Sequence, residues 1–574
     1  MTSVSHSTKK FVAVVGCGPA GLAAVKELKQ AGFYPVAFDK HARIGGVWAW
    51  GWDSLVMTSS SVHTAFSDFP PEGNLRMWTR DEYWHYLEKY CTAFDLWEHI
   101  HTNTKVLKAW REPPICEGTS NLWQVVVEGP LGKTTWGCCA LVIATGVNQV
   151  PTYPVYPGFE TFTGKVLHTR DYRSDMDFTG KRAVLVGMGE SGSDISYDAA
   201  RQCAETFISI RKTAGWVVPR LRNSTPADIV TNRILWGLPR RAGPWLSRAM
   251  ATGDSVLDRD EVIKEMGKYN FAVLEKGSNR LGVYGTFGTK NTSFLKAMVK
   301  CGAKLKPEII RLGPGKSVHF ADSTVTEADV LLFNTGFRYD FSFIQPSADD
   351  VELKQALEDA KDVRNLWKKV LHPAVGASLC FVGFARPAFG SQPPMAEMQA
   401  RLCAFALGSN GAGLPPRDVM ELQIELDRDR IQRQFGAEQR VRSLDDYVLY
   451  LNDVASIIGC HPGSIWWLAL SSPRLAWNVM AGPHIVAQFR LRGPGCKPAL
   501  AAETLQRSTL PIARLCRIRL FVISAALWLL CALLSTVLGA SWRPVGFEAP
   551  TGQLSVKKLR EELERRRRRN LILP

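Results

Sequence analysis

The sequence lacks the cysteine and histidine patterns that build metal centres and disulfide frameworks. Its 13 cysteines are scattered along 574 residues, without a Cys-x-x-Cys pair or a Cys/His cluster at zinc-ligand spacing. The polar first residues, Met1 to Lys10, contain no apolar core of a secretory signal. These absences exclude a zinc domain and a disulfide-stapled scaffold, and they predict reduced thiols in a protein that faces the cytosol.

Solenoid-type repeats are also absent, and the only low-complexity stretch is a run of arginines at residues 565–569. Hydrophobic residues make up 46% of the chain and charged residues 22%, as is typical of a globular protein. A chain of this length is too long for one ordinary core, so we expect two or three domains.

The formal net charge of +16 is concentrated near the end of the chain. Residues 474–519 carry eight basic side chains and one acidic one, and residues 543–574 carry nine and four, so the two segments account for +12. A nucleic-acid partner is not expected, because this charge flanks an apolar run rather than a folded basic face.

That run extends from Leu520 to Trp542 and has no ionisable side chain except the thiol of Cys531. A helix needs about 20 apolar residues to cross a bilayer core, so the run predicts a membrane anchor. Its orientation stays open, because arginines lie on both sides. A helix that loops back through one leaflet would keep both the body and the tail in the cytosol, and the arginine run would add attraction to anionic lipid.

A glycine-rich turn from Gly16 to Gly21 reads Gly-Cys-Gly-Pro-Ala-Gly. It lies between a predicted strand, Phe11 to Val15, and a predicted helix, Leu22 to Gln30. In such a turn the first glycine allows a positive φ, the second lets a pyrophosphate approach, and the third lets the helix pack closely. The next predicted strand, Pro35 to Phe38, ends at Asp39, whose carboxylate suits ribose hydroxyls as in FAD or NAD.

A second turn from Gly187 to Gly192 reads Gly-Met-Gly-Glu-Ser-Gly. Its following strand, Glu205 to Ile210, ends instead at Arg211 and Lys212. A guanidinium pairs with a 2′-phosphate that a carboxylate would repel, so this site favours NADPH over NADH. An exposed basic pair at a strand end is the alternative interpretation.

Two further apolar strands end in small-residue turns. Predicted strands at Leu122 to Val127 and Thr134 to Ile143 lead to Ala-Thr-Gly at residues 144–146, and Val330 to Phe333 leads to Asn-Thr-Gly at residues 334–336. This repetition, before and after the second turn, indicates that the second dinucleotide unit is inserted into the first. The stretch from Thr225 to Gly282 has no assignable pattern.

The segment from Phe162 to Tyr172 matches F-x-G-x-x-x-H-x-x-x-Y at every fixed position, directly before the second turn. It resembles the fingerprint of the flavin-containing monooxygenase family, and its final tyrosine differs from the tryptophan that is usual in related Baeyer–Villiger enzymes. His168 within it is interpreted as a structural hinge rather than an acid or base. The resemblance extends over roughly residues 10–545 through stretches at residues 45–48, 334–337, 394–401 and 472–495.

The resemblance implies an α/β fold with two Rossmann-like dinucleotide-binding domains, the NADPH domain inserted in the FAD domain, and a C-terminal membrane helix. The expected segments are 1–175 and 329–470 for FAD, 176–328 for NADPH, 471–519 as a membrane-proximal segment, 520–542 as the anchor and 543–574 as a basic tail. Localisation at the endoplasmic reticulum membrane is expected, with the catalytic domains in the cytosol.

The resemblance also implies NADPH- and O2-dependent oxygenation of a soft nucleophile, an amine nitrogen or a sulfide, through a C4a-hydroperoxyflavin. The residues that would hold the cofactors follow the two turns. FAD would be held by Gly16, Gly18, Pro19, Ala20, Gly21 and Asp39, with Gly46, Val47 and Trp48 near the flavin, and NADPH by Gly187, Gly189, Ser191, Gly192, Ser193 and Asp194, with Arg211 and Lys212 on the 2′-phosphate.

One departure from the family concerns the place where an asparagine lies beside flavin and nicotinamide. Here the comparable stretch, residues 58–61, reads Thr-Ser-Ser-Ser, and Ser59 is the expected counterpart, with Ser60 as the second catalytic candidate. A hydroxyl is shorter than an amide that both donates and accepts. An uncoupled NADPH oxidase is therefore an alternative. A Baeyer–Villiger monooxygenase and a non-catalytic, membrane-tethered flavoprotein sensor also stay open.

Overall fold

A computed structural model describes most of the chain. The described residues are 10–112, 122–211, 215–222, 224–238, 243–257, 260–276, 282–435, 443–509, 526, 557–561 and 563–564. Lys212 and the predicted anchor at residues 520–542, apart from Ala526, lie outside them. Among the described residues, no helix is both long and apolar enough to cross a membrane.

A five-stranded parallel sheet carries the first glycine turn. Its strands are apolar on both faces, because helices cover one face and a small antiparallel sheet covers the other. Val12 and Val14 point towards the helices, whereas Ala13 and Val15 point towards the antiparallel sheet. The parallel strands are, in order, Leu379–Phe381, Ala140–Ile143, Phe11–Val15, Tyr34–Phe38 and Ile100–His101; the helices are Pro19–Gln30 and Gln392–Gly408; the antiparallel strands are Lys105–Glu112, Leu122–Gly129 and Gly132–Cys138.

A second five-stranded parallel sheet carries the second glycine turn and repeats this architecture. All its strands come from residues 165–333, between two strands of the first sheet that are adjacent in space. The second unit is therefore an insertion in the chain order of the first. Its parallel strands are Lys165–His168, Val330–Phe333, Arg182–Val186, Glu205–Ser209 and Lys304–Lys306; helices Glu190–Ala200 and Ser293–Cys301 cover one face, and strands Ile309–Leu312, Ser317–Phe320 and Val325–Glu327 cover the other.

Five predicted elements have different bounds in the structure. The strands predicted at Pro35–Phe38 and Leu122–Val127 are each longer, at Tyr34–Phe38 and Leu122–Gly129. The helix after the first turn begins at Pro19 rather than Leu22, because proline is favourable at the first helical position. The strand predicted at residues 134–143 is two strands, Gly132–Cys138 and Ala140–Ile143, which belong to different sheets. The strand predicted to end at Ile210 ends at Ser209.

The stretch from Thr225 to Gly282, which the sequence left unassigned, is largely helical. It contains helices Arg233–Trp236, Gly243–Leu257 and Glu261–Lys276. The buried Asn270 side chain bonds both the N–H (2.9 Å) and the carbonyl (2.8 Å) of Val217, which ties this helical segment to the inserted unit.

A buried charge network joins the C-terminal part of the chain to the two helices that cover the first sheet. The Arg490 guanidinium donates to Glu27 at 2.5 Å and to Glu397 at 3.2 Å, and it lies 3.6 Å from Asp68. Although burial opposes ionisation, Arg490 and Lys26 lower the pKa of the Asp68 carboxyl. A cation removed from such a network leaves buried unpaired carboxylates, so Arg490 holds the chain after residue 480 in place.

The remaining elements are short or peripheral. The helices are Val47–Trp50, Ser61–Thr64, Arg80–Ala93, Val351–Ala360, Arg417–Phe435, Tyr447–Ile458, Ile465–Ser471, Pro473–Ala481 and Pro498–Thr509; the strands are Val56–Ser60, Met77–Thr79, Val150–Pro151, Trp216–Val217, Leu221–Arg222, Thr225–Pro226, Gly288–Thr289, Phe337–Arg338, Arg386–Pro387 and Leu444–Asp445.

Candidate functional site

The first glycine turn has the geometry of a phosphate cradle. Gly16 has φ +106°, and a Cβ there would lie 2.6 Å from the Ala144 carbonyl oxygen. A Cβ on Gly21 would lie 1.8 Å from the Gly16 carbonyl oxygen, so the helix packs directly on the turn. At Gly18, by contrast, the nearest heavy atom would be 3.8 Å away, on Gly46. Space therefore remains at the middle glycine, where a pyrophosphate approaches the backbone.

The second turn repeats this pattern. Gly187 has φ +91°, and a Cβ there would lie 2.8 Å from the Asn334 carbonyl oxygen. A Cβ on Gly192 would lie 2.6 Å from the Gly187 carbonyl oxygen, whereas one on Gly189 would meet nothing within 4 Å. Both helices begin without a side-chain cap on their first N–H groups, which leaves these donors and the positive helix end for phosphate.

Asp39 lies at the end of its strand, as predicted, and it holds the first turn. Its Oδ2 accepts from the Cys17 N–H at 2.8 Å, and its Oδ1 accepts from the His41 N–H at 2.9 Å. Burial alone would raise the pKa of this carboxyl, but the hydrogen bonds from His41 and Cys17 outweigh burial and lower it. A charged carboxylate with free lone pairs remains available for ribose hydroxyls.

One cavity of about 1120 Å³ connects the two turns. Its walls include the carboxyl ends of two strands of the first parallel sheet, at Val15 and Phe38, and the small-residue turn at residues 144–146. The second unit contributes residues that follow its strands, such as Thr169 and Glu190. Among the predicted site residues, the cavity is lined by Gly16, Gly18, Pro19, Ala20, Asp39, Gly46, Val47, Trp48, Ser59, Ser191 and Asp194.

Several predicted residues do not line this cavity. Ser193 is buried, where its hydroxyl donates to the Asn291 carbonyl and accepts from the Phe294 N–H, both at 3.2 Å. Arg211 is exposed and lies two residues beyond the end of its strand at Ser209. Lys212 is not described, and the others that do not line the cavity are Gly21, Ser60, Gly187, Gly189 and Gly192.

Asp194 lines the cavity, but its negative charge is already paired with a guanidinium. One oxygen accepts from the Arg220 guanidinium at 2.9 Å, and the other accepts from the Asn291 amide at 2.7 Å. We therefore interpret Asp194 as a residue that positions the wall of the second unit rather than as a direct ligand of NADPH.

The structure separates the two candidate serines. Ser59 lies at the cavity, with its hydroxyl 2.8 Å from the Ser391 hydroxyl and 3.1 Å from the Thr64 hydroxyl. Ser60 points away, because neighbouring side chains of a strand alternate between its faces. Both its N–H (2.7 Å) and its hydroxyl (3.1 Å) donate to Asp228.

Charged residues that the sequence reasoning missed also line the cavity. The Glu190 carboxylate accepts from the Lys290 N–H at 2.9 Å, and the Lys290 ammonium donates to the Gly390 carbonyl. Burial raises the pKa of Glu190 and lowers that of Lys290. The guanidinium carbon of Arg386 lies 5.1 Å from the centre of the Phe287 ring. Glu190 belongs to the second glycine turn, so the sequence could have identified it as a cavity residue. Nothing in the sequence around Lys290 or Arg386 indicates that they line the cavity.

His168 ends its strand and is buried, with Nε2 3.1 Å from the Gly336 carbonyl oxygen. Burial lowers the pKa of its imidazole, so the neutral form that meets this contact is favoured. It joins the segment before the second turn to the turn at residues 334–336, and it does not line the cavity.

The first turn gives a paired prediction. Gly21→Ala should destabilise the apoprotein, since overpacking of this kind typically costs about 1–3 kcal/mol. Gly18→Ala should keep the apoprotein's Tm but lose FAD affinity, because the methyl group enters the phosphate space. Flavin content and Tm with and without FAD provide the measurement. A Gly21→Ala protein with wild-type Tm and full flavin content would contradict this geometry.

The substitution Arg211→Ala tests whether Arg211 binds the 2′-phosphate of NADPH. We expect the KM for NADPH to rise much more than the KM for NADH, since a charged hydrogen bond contributes about 1.5–3 kcal/mol. Arg311→Ala, at an exposed position of strand Ile309–Leu312, is the control and should change neither constant. If Arg211→Ala raised the KM for NADPH and the KM for NADH equally, Arg211 would not be a ligand of the 2′-phosphate.

Comparison with known proteins agrees with this geometry. Residues 9–512 match the family described as Flavin-binding monooxygenase-like. The chain is 31% identical over 499 residues to a 4-hydroxybenzoate brominase (decarboxylating) of Marinomonas mediterranea, covering 85% of this chain and 90% of that protein. It is 28% identical over 525 residues to Flavin-containing monooxygenase 5 of Mus musculus, covering 87% and 91%.

Solved structures with the same fold have lower sequence identity. S-allyl-L-cysteine S-oxygenase from Allium sativum superposes with a TM-score of 0.55 at 20% identity, covering 84% of this chain and 98% of that one. Cyclohexanone monooxygenase from Rhodococcus sp. Phi1, bound to NADP+, gives a TM-score of 0.57 at 18% identity, covering 79% and 98%. The chain belongs to the flavin-binding monooxygenase-like family and is an oxidoreductase whose cofactors are FAD and NADPH.

Proposed function

We propose that the protein is an NADPH- and O2-dependent monooxygenase that oxygenates soft nucleophiles, an amine nitrogen or a sulfide sulfur. The observation that carries the proposal is the single cavity onto which both glycine turns open. A carboxylate follows the first turn and an arginine the second, so the two turns suit an unphosphorylated and a 2′-phosphorylated ribose. Two different dinucleotides can thus meet within one cavity.

The residues of the chain bind and orient the two dinucleotides and shield the cavity from water. The turn at Gly18 and the carboxylate of Asp39 hold one dinucleotide, and the turn at Gly189 with Ser191 holds the other. Bound flavin supplies the hydride acceptor and the activation of O2. Trp48 and Phe287 contribute apolar walls to the cavity, and exclusion of water from such a site favours oxygenation over loss of peroxide.

Ser59 is the residue we assign to contact with the reacting edge of the cofactors. Its hydroxyl is buried and already exchanges hydrogen bonds with Ser391 and Thr64, so its orientation is restrained. Ser391 lines the cavity as well and can share this role. Ser60 acts through the position of the strand, because its hydroxyl bonds Asp228 outside the cavity wall.

The test is a substrate screen with three simultaneous measurements: NADPH oxidation, H2O2 release and product formation. With trimethylamine or a thioether, we expect the N-oxide or S-oxide to form in proportion to the NADPH consumed. A lactone from a cyclic ketone would instead support Baeyer–Villiger oxygenation. Peroxide alone would support an NADPH oxidase, and FAD binding without NADPH consumption would support a sensor.

A second candidate rests on the relative that is 31% identical over 499 residues and is named a 4-hydroxybenzoate brominase (decarboxylating). Bromide is also a soft nucleophile, so the same cavity could direct activated oxygen onto a halide. The screen therefore includes bromide with 4-hydroxybenzoate. Brominated phenol with no N- or S-oxide would replace our first proposal with this one.

We propose further that residues 520–542 anchor the protein in the endoplasmic reticulum membrane with the catalytic body in the cytosol. The support is the length of this run without a charged side chain. Leu559 and Leu563, beyond the run, pack against Val419 and Leu426. An internal deletion is therefore a cleaner test than truncation of everything after Thr509.

Deletion of residues 520–542 should release the protein from membranes without detergent and leave FAD bound. The measurement is the partition of protein and flavin absorbance between the membrane pellet and the supernatant. An unchanged pellet fraction contradicts the anchor, and loss of flavin contradicts its independence from the catalytic body.

A further inference from the structure

An exposed apolar surface lies on two short helices, Ile465–Ser471 and Pro473–Ala481, which pack against each other. Trp467 is 74% exposed, Leu470 78% and Trp477 54%, and Trp466 lies beside them at 48%. We call these four residues the tryptophan patch. Among the side chains that the structure describes, no other twelve-residue stretch exposes four large apolar groups. Such clustering, unlike single exposed residues, marks an interaction surface.

The helical spacing gives the patch both apolar and cationic character. Trp467 and Leu470 are three residues apart and so share one side of their helix, and the exposed Arg474 and Trp477 have the same spacing on the next helix. Tryptophan beside arginine is the side-chain combination favoured at the boundary between lipid head groups and acyl chains.

Acidic residues are absent from this part of the chain. None occurs between Asp453 and Glu503, whereas Arg474 and Arg492 are exposed there. A stretch of the chain that exposes arginines and carries no acidic side chain of its own favours an anionic partner. Two copies of the patch packed about a twofold axis would instead bring the same arginines together, which disfavours self-association.

The position of the patch relative to the apolar run points to the same partner. Helix Pro498–Thr509 packs against the second patch helix, and only ten residues separate Thr509 from Leu520. Ten residues span at most about 36 Å when fully extended. A bilayer that receives the run at residues 520–542 would therefore lie within reach of the patch.

We propose that the tryptophan patch docks on an anionic lipid surface and holds the catalytic body against the membrane. Trp467 and Leu470 would enter the interface, and Arg474 and Arg492 would contact lipid phosphates or carboxylates. The anchor at residues 520–542 is one argument for this docking, but the two are distinct contacts and each has its own test. Neither depends on the substrate that the enzyme oxygenates.

The test uses full-length protein on vesicles of phosphatidylcholine and phosphatidylserine with brominated acyl chains, which quench tryptophan fluorescence on contact. Trp467→Phe should remove part of the quenching. Trp97→Phe is the matched control, because Trp97 is 45% exposed but lies in the short helix Trp97–His99, outside the two patch helices. This substitution should leave the quenching unchanged. FAD content of both variants checks that each is folded.

Equal quenching in wild type, Trp467→Phe and Trp97→Phe would overturn the docking. A second outcome would also overturn the docking: the protein is a dimer in solution, and Leu470→Gln converts it to monomers without any loss of lipid quenching. The patch would then bind a second copy of the protein. The anchor is tested separately by the double substitution Leu529→Arg with Leu530→Arg. It should weaken vesicle binding both in the wild-type protein and in the Trp467→Phe variant. Wild-type protein that does not bind the vesicles overturns both membrane proposals.

Discussion

The structure depends on the close approach of a helix to a glycine turn at the carboxyl end of each central strand. Gly21 and Gly192 leave no room for a Cβ beside the carbonyl oxygens of Gly16 and Gly187. This contact aims the first N–H groups of each helix at the space beyond the strand. Because the strands of each sheet are parallel, the carboxyl ends within a sheet face one edge. In the first sheet these ends line the cavity at Val15 and Phe38, and in the second unit the residues that follow the strands, Thr169 and Glu190, do so.

The insertion of one unit into the other explains why a single cavity serves both turns. The chain leaves the first sheet after Ile143, builds the whole second sheet, and returns to pair at Leu379 with the strand it left. Both connections therefore pass the cavity, and His168 with its contact to Gly336 lies beside them. The charges that reach this region, Glu190, Lys290 and Arg386, come from three separate segments of the chain.

Much of the fold followed from local patterns. The strands at Phe11–Val15 and Val330–Phe333 were predicted with the observed bounds, since continuous apolar runs beside glycine turns have few other structures. The stretch from Thr225 to Gly282 was not predicted, because Gly253 and Gly267 lie inside its two long helices and glycine lowers helix propensity. The break at Cys139 also escaped prediction, since adjacent strands of two different sheets look like one long strand in sequence.

The sequence by itself determined the two glycine turns, the charge that follows each of them and the family, because these depend on residues close together in the chain. Only the tertiary structure decided which residues reach the cavity. It placed Ser59 inside and Ser60 outside, paired Asp194 with Arg220, and brought Lys290 and Arg386 to the wall. Side-chain direction and long-range pairing are set by packing between distant segments, which spacing along the chain does not encode.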